Sequence, residues 1–192
     1  MHREFILASS SKSRKAILKK AGIKFIVRKP LCNEDSLKKK INKKNPVLFV
    51  KKLSYEKAKS VSTIPIYNKH IVIGCDTIVY FNNKIFDKAK DIKEAHQKIK
   101  TLSGKSHKII SALTVCINGK RQWDCHDTTF VKFRKMSDDK ISKYLRKTGE
   151  GILSSVGCYQ IENLGPTIIE NIRGDFFNVM GLPLFKLLKY LS

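Results

Sequence analysis

The sequence predicts one domain of mixed strands and helices, α/β or α+β, with parallel and antiparallel strand pairs in the same sheet. Three observations carry that expectation. Short apolar runs alternate with segments of helical periodicity through the first half of the chain. Two long strand-like segments meet at Asn118-Gly119, the residue pair that a two-residue hairpin favours. Finally, 192 residues with 42% apolar content, 10 Gly and 5 Pro bury one sizeable core, and no internal repeat or linker divides it.

Residues 5–8 form a short apolar strand that gives way to Ser9, Ser10, Ser11, Ser13 and Arg14 at the opening of a helix. A helix N-terminus there presents unpartnered backbone N–H groups and a positive dipole end, which suits a phosphate. Arg14 precedes Ile17 and Leu18 by three and four residues and so shares their inward face. The plainer alternative makes one serine an N-cap and Arg14 a surface charge. A strand at residues 25–28 leads into a polar, lysine-rich connection over residues 33–45. A helix over residues 46–60 follows, with Pro46 tolerated in its first turn. Its inward stripe is Val50, Leu53, Lys57 and Val61, which places a lysine among apolar neighbours. Lys57 there is a phosphate ligand or a snorkelling side chain.

Residues 70–75 are apolar on both faces, hence central, and the strand is expected to end at Gly74-Cys75-Asp76-Thr77. Ligands collect at the carboxyl ends of strands in open α/β sheets, which puts Asp76 where chemistry is done. Residues 78–81, the turn residues Asn82-Asn83 and residues 84–86 form a hairpin that returns Lys88 toward that region. An amphipathic helix carries Ile92, Ala95, Ile99 and Leu102. Residues 106–117 and 121–135 are the long antiparallel pair. Ser137 then caps a helix reaching Arg146, with Ile141, Tyr144 and Leu145 inward. Beyond it come a loop at 149–157, short strands at 158–162 and 167–171, and a connection at 174–181. A last helix begins near Pro183, with Phe185, Leu188 and Leu191 toward the core.

Composition excludes several classes. No apolar run approaches the roughly 18 residues that cross a bilayer, and the N-terminal apolar segment is too short for a signal peptide. No membrane partner and a cytoplasmic location are therefore expected. Five scattered cysteines, odd in number and without C-x-x-C spacing, are expected to be reduced thiols with no zinc site. The net charge of +23 invites a nucleic-acid partner. Its distribution argues against one, because 32 lysines against seven arginines decorate almost every element and aromatic residues are not interleaved with them. The charge still attracts a small polyanionic substrate.

Gly104-Lys105-Ser106 imitates the end of a P-loop, but Ile99 stands where the first glycine belongs and a helix, not a strand, precedes it. Cys125 and His126 point to opposite faces of a strand and lack a second ligand pair. His107 is expected to be a structural hydrogen-bonding residue. What remains is Ser9, Arg14, Glu34, Lys57, Asp76, Lys88 and Glu162. Cations and carboxylates in that mixture suit hydrolysis of a polyphosphate. Hard divalent cations take carboxylate and phosphate oxygens, and lysines offset the charge of the breaking bond.

A set of motifs in order gives these residues a family context. They are Leu7-Ala8-Ser9-Ser10-Ser11 through Arg14, Glu56-Lys57-Ala58, Ile73-Gly74-Cys75-Asp76-Thr77 and Asp87-Lys88. They continue with Leu102-Ser103-Gly104-Lys105-Ser106-His107, Gly157-Cys158-Tyr159, and Gly174-Asp175 through Val179-Met180-Gly181-Leu182-Pro183-Leu184. Almost end to end, the chain resembles the Maf family of nucleoside triphosphate pyrophosphatases. The resemblance implies an α/β fold over residues 1–192, with a mixed twisted sheet, flanking helices and two lobes around a deep cleft. It implies cleavage of a small-molecule nucleoside triphosphate between its α and β phosphates, with a divalent metal cation, Mg²⁺ or Mn²⁺. Asp76 matches the family's proton acceptor, and Lys57, Lys88 and Glu34 join it as catalytic residues. Ser9, Ser11 and Arg14 fall on the phosphate side, and Glu34 and Asp76 on the metal side.

Ser13, Thr77 and Glu162 resemble the family's base-selecting positions. Thr77 resembles the branch acting on dTTP and UTP, Glu162 the branch acting on 7-methyl-GTP, and Ser13 neither. An ionised glutamate only accepts hydrogen bonds, which suits the two adjacent donors of guanine better than the mixed edge of uracil. Asp76 as general base and Asp76 as metal ligand are both open at this point, as is a homodimer. The rival readings are a basic nucleic-acid-binding protein without catalysis and a regulatory relative tied to septum formation.

Overall fold

Strand β1 (Phe5–Ala8) lies parallel to both of its neighbours, β2 (Phe25–Arg28) and β3 (Ile71–Phe81), in a computed structural model that describes residues 4–192. On its other edge β3 pairs antiparallel with β5 (Ser106–Ile117), and its far half also takes the short β4 (Lys84–Phe86). Asn82 and Asn83 make that tight turn at φ 47° and 58°, conformations that asparagine tolerates better than most residues. Strand β5 runs through Asn118-Gly119 into β6 (Lys120–Phe133), which pairs with β7 (Ile169–Arg173). The seven-stranded sheet has the order β2-β1-β3-β5-β6-β7, with β4 beside β3.

The helices are α1 (Lys12–Lys20), α2 (Glu34–Lys40), α3 (Pro46–Ser62), α4 (Ile92–Leu102), α5 (Asp138–Thr148), α6 (Phe176–Val179) and α7 (Leu184–Leu191). Alternation along the strands decides which helix covers which face. Ile6, Ala8 and Val72 meet Ala58 and Val61 of α3, and farther along Ile78, Ile110 and Ala112 meet Phe49, Val50 and Leu53. On the opposite face Leu7, Ile73, Leu113 and Val115 meet Ile17 and Leu18 of α1 and Leu184 and Leu187 of α7. Another core joins Ile99 and Leu102 of α4 and Ile141 and Leu145 of α5 to Val79, Ile109, Val131 and Phe133. Between these cores β3 and β5 bury a seam of polar residues at Asp76, Thr114 and Ser111.

Helix α3 rests on β3 so closely that a Cβ on Gly74 would stand 2.3 Å from the Ser54 carbonyl oxygen and 2.5 Å from Ala58 N. Only glycine permits that approach. Lys57, one residue before Ala58, is thereby set over Asp76, which lies two residues beyond Gly74 on the same face of β3.

Several sequence expectations are corrected. The strand expected to stop near Cys75 continues to Phe81, because β5 pairs with it through Tyr80. It is β1 that stops, at the Ala8–Gly74 pair, so Asp76 lies beyond the carboxyl end of β1 rather than at the end of its own strand. The polar stretch 33–45 contains α2. The Asn33 side chain accepts from Ser36 N at 2.9 Å, acids fill the first turn and lysines the last, as the helix dipole favours. Residues 158–162 form a turn instead of a strand, with Cys158 at φ 55° and Gly165 N donating to the Gln160 carbonyl at 2.9 Å. Strand β7 begins at Ile169 after a 3-10 turn, and a second such turn occupies Glu150–Ser154. The connection 174–181 holds α6, which the Asp175 carboxylate caps at Phe177 N. In α7 the stripe Leu184, Leu187, Leu191 faces the core, whereas Phe185 is 63% exposed and Leu188 36%. Both stripes have helical spacing, and the phase is set by the already buried Leu182.

All five cysteines are free. His107 shares a hydrogen bond with the Tyr159 hydroxyl at 2.9 Å, and burial lowers its pKa to about 4, leaving it neutral and structural. Among the described residues no helix is long and apolar enough to cross a membrane.

Candidate active site

Lys57 leaves α3 among apolar neighbours and ends on two carboxylates. Its Nζ donates to Asp76 Oδ1 at 2.5 Å and stands 3.0 Å from Glu34 Oε2. Lys57 and Asp76 are only 6% and 7% exposed. Burial alone would lower the lysine pKa. Attraction to Asp76, and then to Glu34, outweighs burial and the repulsion of Arg14, so Lys57 lies above the ordinary lysine range. It is a fixed ammonium, and the snorkelling alternative is excluded. Burial would likewise raise Glu34, but the adjacent Lys57 holds it below the usual carboxylate range. Helix α2 thus delivers Glu34 to the seam, and the Lys38–Asp87 pair at 3.7 Å ties the same helix to the residue before Lys88. Lys88 is exposed as a whole residue, yet partial desolvation of its ammonium lowers its pKa. Glu34 opposes that shift, and Lys57, Lys38 and Arg14 reinforce it.

The serine-rich start of α1 divides its work. Ser11 is the N-cap, its hydroxyl accepting from Arg14 N at 3.3 Å. Ser9 Oγ accepts from Ser11 N at 3.2 Å and from Arg14 Nη1 at 3.3 Å. Arg14 is 9% exposed, so it is no surface charge. Its Nε donates to the Gly181 carbonyl at 2.8 Å and its Nη2 to Thr77 Oγ1 at 3.0 Å. Those partners are neutral oxygens, and among the described residues no carboxylate forms an ion pair with the guanidinium. A buried cation without a counter-charge is costly, and an anion entering beside it recovers that cost.

The three expected base-selecting residues separate. Ser13 Oγ donates to Glu162 Oε1 at 2.6 Å, joining the first turn of α1 to the 160–165 turn across 149 positions of sequence. Thr77 stands apart from that pair, under Arg14, where its hydroxyl also meets Ser111 Oγ at 2.9 Å. Sequence reasoning missed Ser111 and Gly181. Ser111 and Thr114 are the two polar residues in the mainly apolar run 109–117 of β5, which was a usable signal. Gly181, at φ 98°, offers a carbonyl that accepts from Arg14, Cys75 and Thr77, and nothing local in the sequence announces this role.

Among the described residues no cluster of three or more His, Cys, Asp or Glu gathers. Glu34 and Asp76 do converge on one ammonium. Two carboxylates suit Mg²⁺ or Mn²⁺, which complete their shell with water and substrate phosphate oxygens, and do not suit a zinc site of three or four nitrogen or sulfur ligands.

A family model described as "Maf-like protein" matches residues 4–192. A 7-methyl-GTP pyrophosphatase of Bartonella henselae is 41% identical, over 95% of this chain and 91% of its own length. A dTTP/UTP pyrophosphatase of Aquifex aeolicus is also 41% identical, over 97% of this chain and 93% of its own. A nucleoside triphosphate pyrophosphatase of Caulobacter vibrioides is 35% identical over 96% and 92% respectively.

Proposed function

This chain belongs to the Maf-like protein family, and on that premise we propose that it is a nucleoside triphosphate pyrophosphatase, releasing pyrophosphate and a nucleoside monophosphate. The observation that carries the reading is Arg14, a nearly buried guanidinium held by neutral oxygens, whose charge acts on Lys57 where Asp76 and Thr77 follow one another in β3. The triphosphate lies against Arg14, Ser9 and the start of α1, with Lys88 at the mouth. Lys57 is proton-loaded at neutral pH, so it neutralises charge and leaves proton acceptance to Asp76. Asp76 Oδ1 is taken by Lys57, and Oδ2 is the atom that orients water for in-line attack at the α-phosphorus. Glu34 and Asp76 would hold a divalent cation, which when bound polarises phosphate oxygens and offsets their charge.

For the base, the Ser13–Glu162 bond supports a guanine-type edge. Ser13 occupies one carboxylate oxygen and leaves the other as a pure acceptor for adjacent N–H groups. Thr77 is spent on Arg14. The relatives at equal identity carry both base names, so overall similarity does not choose between them. Turnover of a panel of standard and 7-methylated triphosphates in ¹⁸O-water, with and without chelator, tests the reading. Expected are pyrophosphate, label on the monophosphate, loss of activity on chelation, and a guanine preference that Glu162→Gln shifts about tenfold or more toward uracil. Release of inorganic phosphate and a diphosphate would overturn the reaction, and an unmoved base ratio would overturn the role of Glu162.

A further inference from the structure

Away from the seam, the end of β6, one side of α5 and the segment that follows Glu162 enclose a groove of about 310 Å³. Arg134, Lys135, Lys140, Lys143 and Lys147 rim it, and Met136, Tyr144, Leu164 and Ile168 line its floor. Lys140, Lys143 and Lys147 fall at i, i+3 and i+7 of α5, which stacks like charges along one face at a spacing that destabilises a helix. Among the described residues no carboxylate pairs with any of these five cations. Lys51, Lys98, Lys100, Lys132 and Lys186 elsewhere each have such a partner. Asp138 at the start of α5 pairs with Lys100 instead. Most other cations among the described residues also lack such a partner; what sets these five apart is that they converge on one concavity with an apolar floor.

We propose that this groove is a second binding site, for a small phosphorylated molecule bearing several negative charges. Five cations around so small a volume exceed what one carboxylate neutralises. Four of them are lysines, compact point charges that can bind phosphate oxygens without the bidentate fork of arginine. The volume is at the lower end of small-molecule pockets, sufficient for about one nucleotide. Its apolar floor accepts a ring or sugar. A nucleic-acid strand fits less well, because Tyr144 is 5% exposed and no aromatic platform is presented to successive bases.

Calorimetric titration with inorganic tripolyphosphate at low salt, on the parent and on the triple variant K140A/K143A/K147A, decides the matter. The parent is expected to show two classes of site, the seam and the groove. In the variant the groove class weakens about tenfold or more, as three exposed charges are lost, while maximal turnover of a nucleoside triphosphate stays unchanged. Repeating the titration with a nucleoside diphosphate separates the two sources of the phosphate, since tighter groove binding assigns the floor to a base and equal binding assigns the site to the phosphate chain. Identical titrations for parent and variant, or a variant defect confined to short single-stranded RNA, overturn the proposal. Loss of the seam class alone would speak against the pyrophosphatase reading and leave the groove intact.

Discussion

Asp76 and Glu34 share one ammonium but differ in depth, and the difference predicts separate phenotypes. Asp76→Asn keeps a hydrogen-bond acceptor for Lys57 and removes the proton acceptor, so kcat is expected to fall about 10²-fold or more. Lys57 retains Glu34 as a counter-charge, so the variant still folds cooperatively on heating. A variant with parental kcat at saturating metal would remove Asp76 from the chemistry. Glu34 is 42% exposed at its side chain, and Lys57 holds its folded pKa below the ordinary 4.5. A depressed carboxylate contributes stability that is complete above its unfolded pKa and is lost as pH falls through the folded value. Glu34→Gln is therefore expected to be less stable than the parent by about 0.5 kcal/mol at pH 7, a figure discounted for solvent screening. The gap should close in acid, once the pH has fallen through that lowered folded value. Urea unfolding at neutral pH and in acid measures it, and a gap that persists in acid would mean that Glu34 contributes through packing and not charge.

At the level of elements, the site depends on how near α3 lies to β3. A methyl group on Gly74 would meet backbone atoms of Ser54 and Ala58 at 2.3 and 2.5 Å, and backbone cannot yield as a flexible side chain does. Gly74→Ala is expected to cost about 1–3 kcal/mol by overpacking. By lifting Lys57 from Asp76 it should also lower kcat out of proportion to the fraction unfolded. Full activity in the folded fraction would show that the Lys57–Asp76 contact is not set by this approach. The same elements show what sequence made legible. Periodicity located α3 and put Lys57 on its buried face, and Asn118-Gly119 fixed the long hairpin, because both signals are local. The length of β3 was not legible, since its continuation past Asp76 is decided by pairing with β5, 28 to 34 residues away in sequence. Helix α2 was legible in principle from Asn33 and its polarised charges, but its lack of an apolar stripe hid it. The meeting of Ser13 with Glu162 had no local signal at all.

For the molecule as a whole, 39 cations against 16 acids mean that most positive charges have no partner and repel one another. That imbalance acts on stability and on substrate capture with opposite dependence on salt. Raising ionic strength from 0.01 to 0.15 M shortens the screening length from about 30 Å to about 8 Å. Self-repulsion then weakens, so the melting temperature should rise by a few degrees, roughly what 1 kcal/mol produces in a chain of this size. Over the same range the long-range field that draws in a polyanionic triphosphate fades, and kcat/KM should fall by about fivefold to tenfold. The buried Lys57–Asp76 contact is screened far less than surface charge, so kcat itself should stay nearly constant. Melting curves and steady-state kinetics on one salt series read both signs. A kcat/KM that is flat across the series would mean that Arg14, Lys57 and their neighbours capture the substrate at short range. A melting temperature that falls with salt would show that pairs such as Lys132–Glu170 and Lys100–Asp138 outweigh the excess charge.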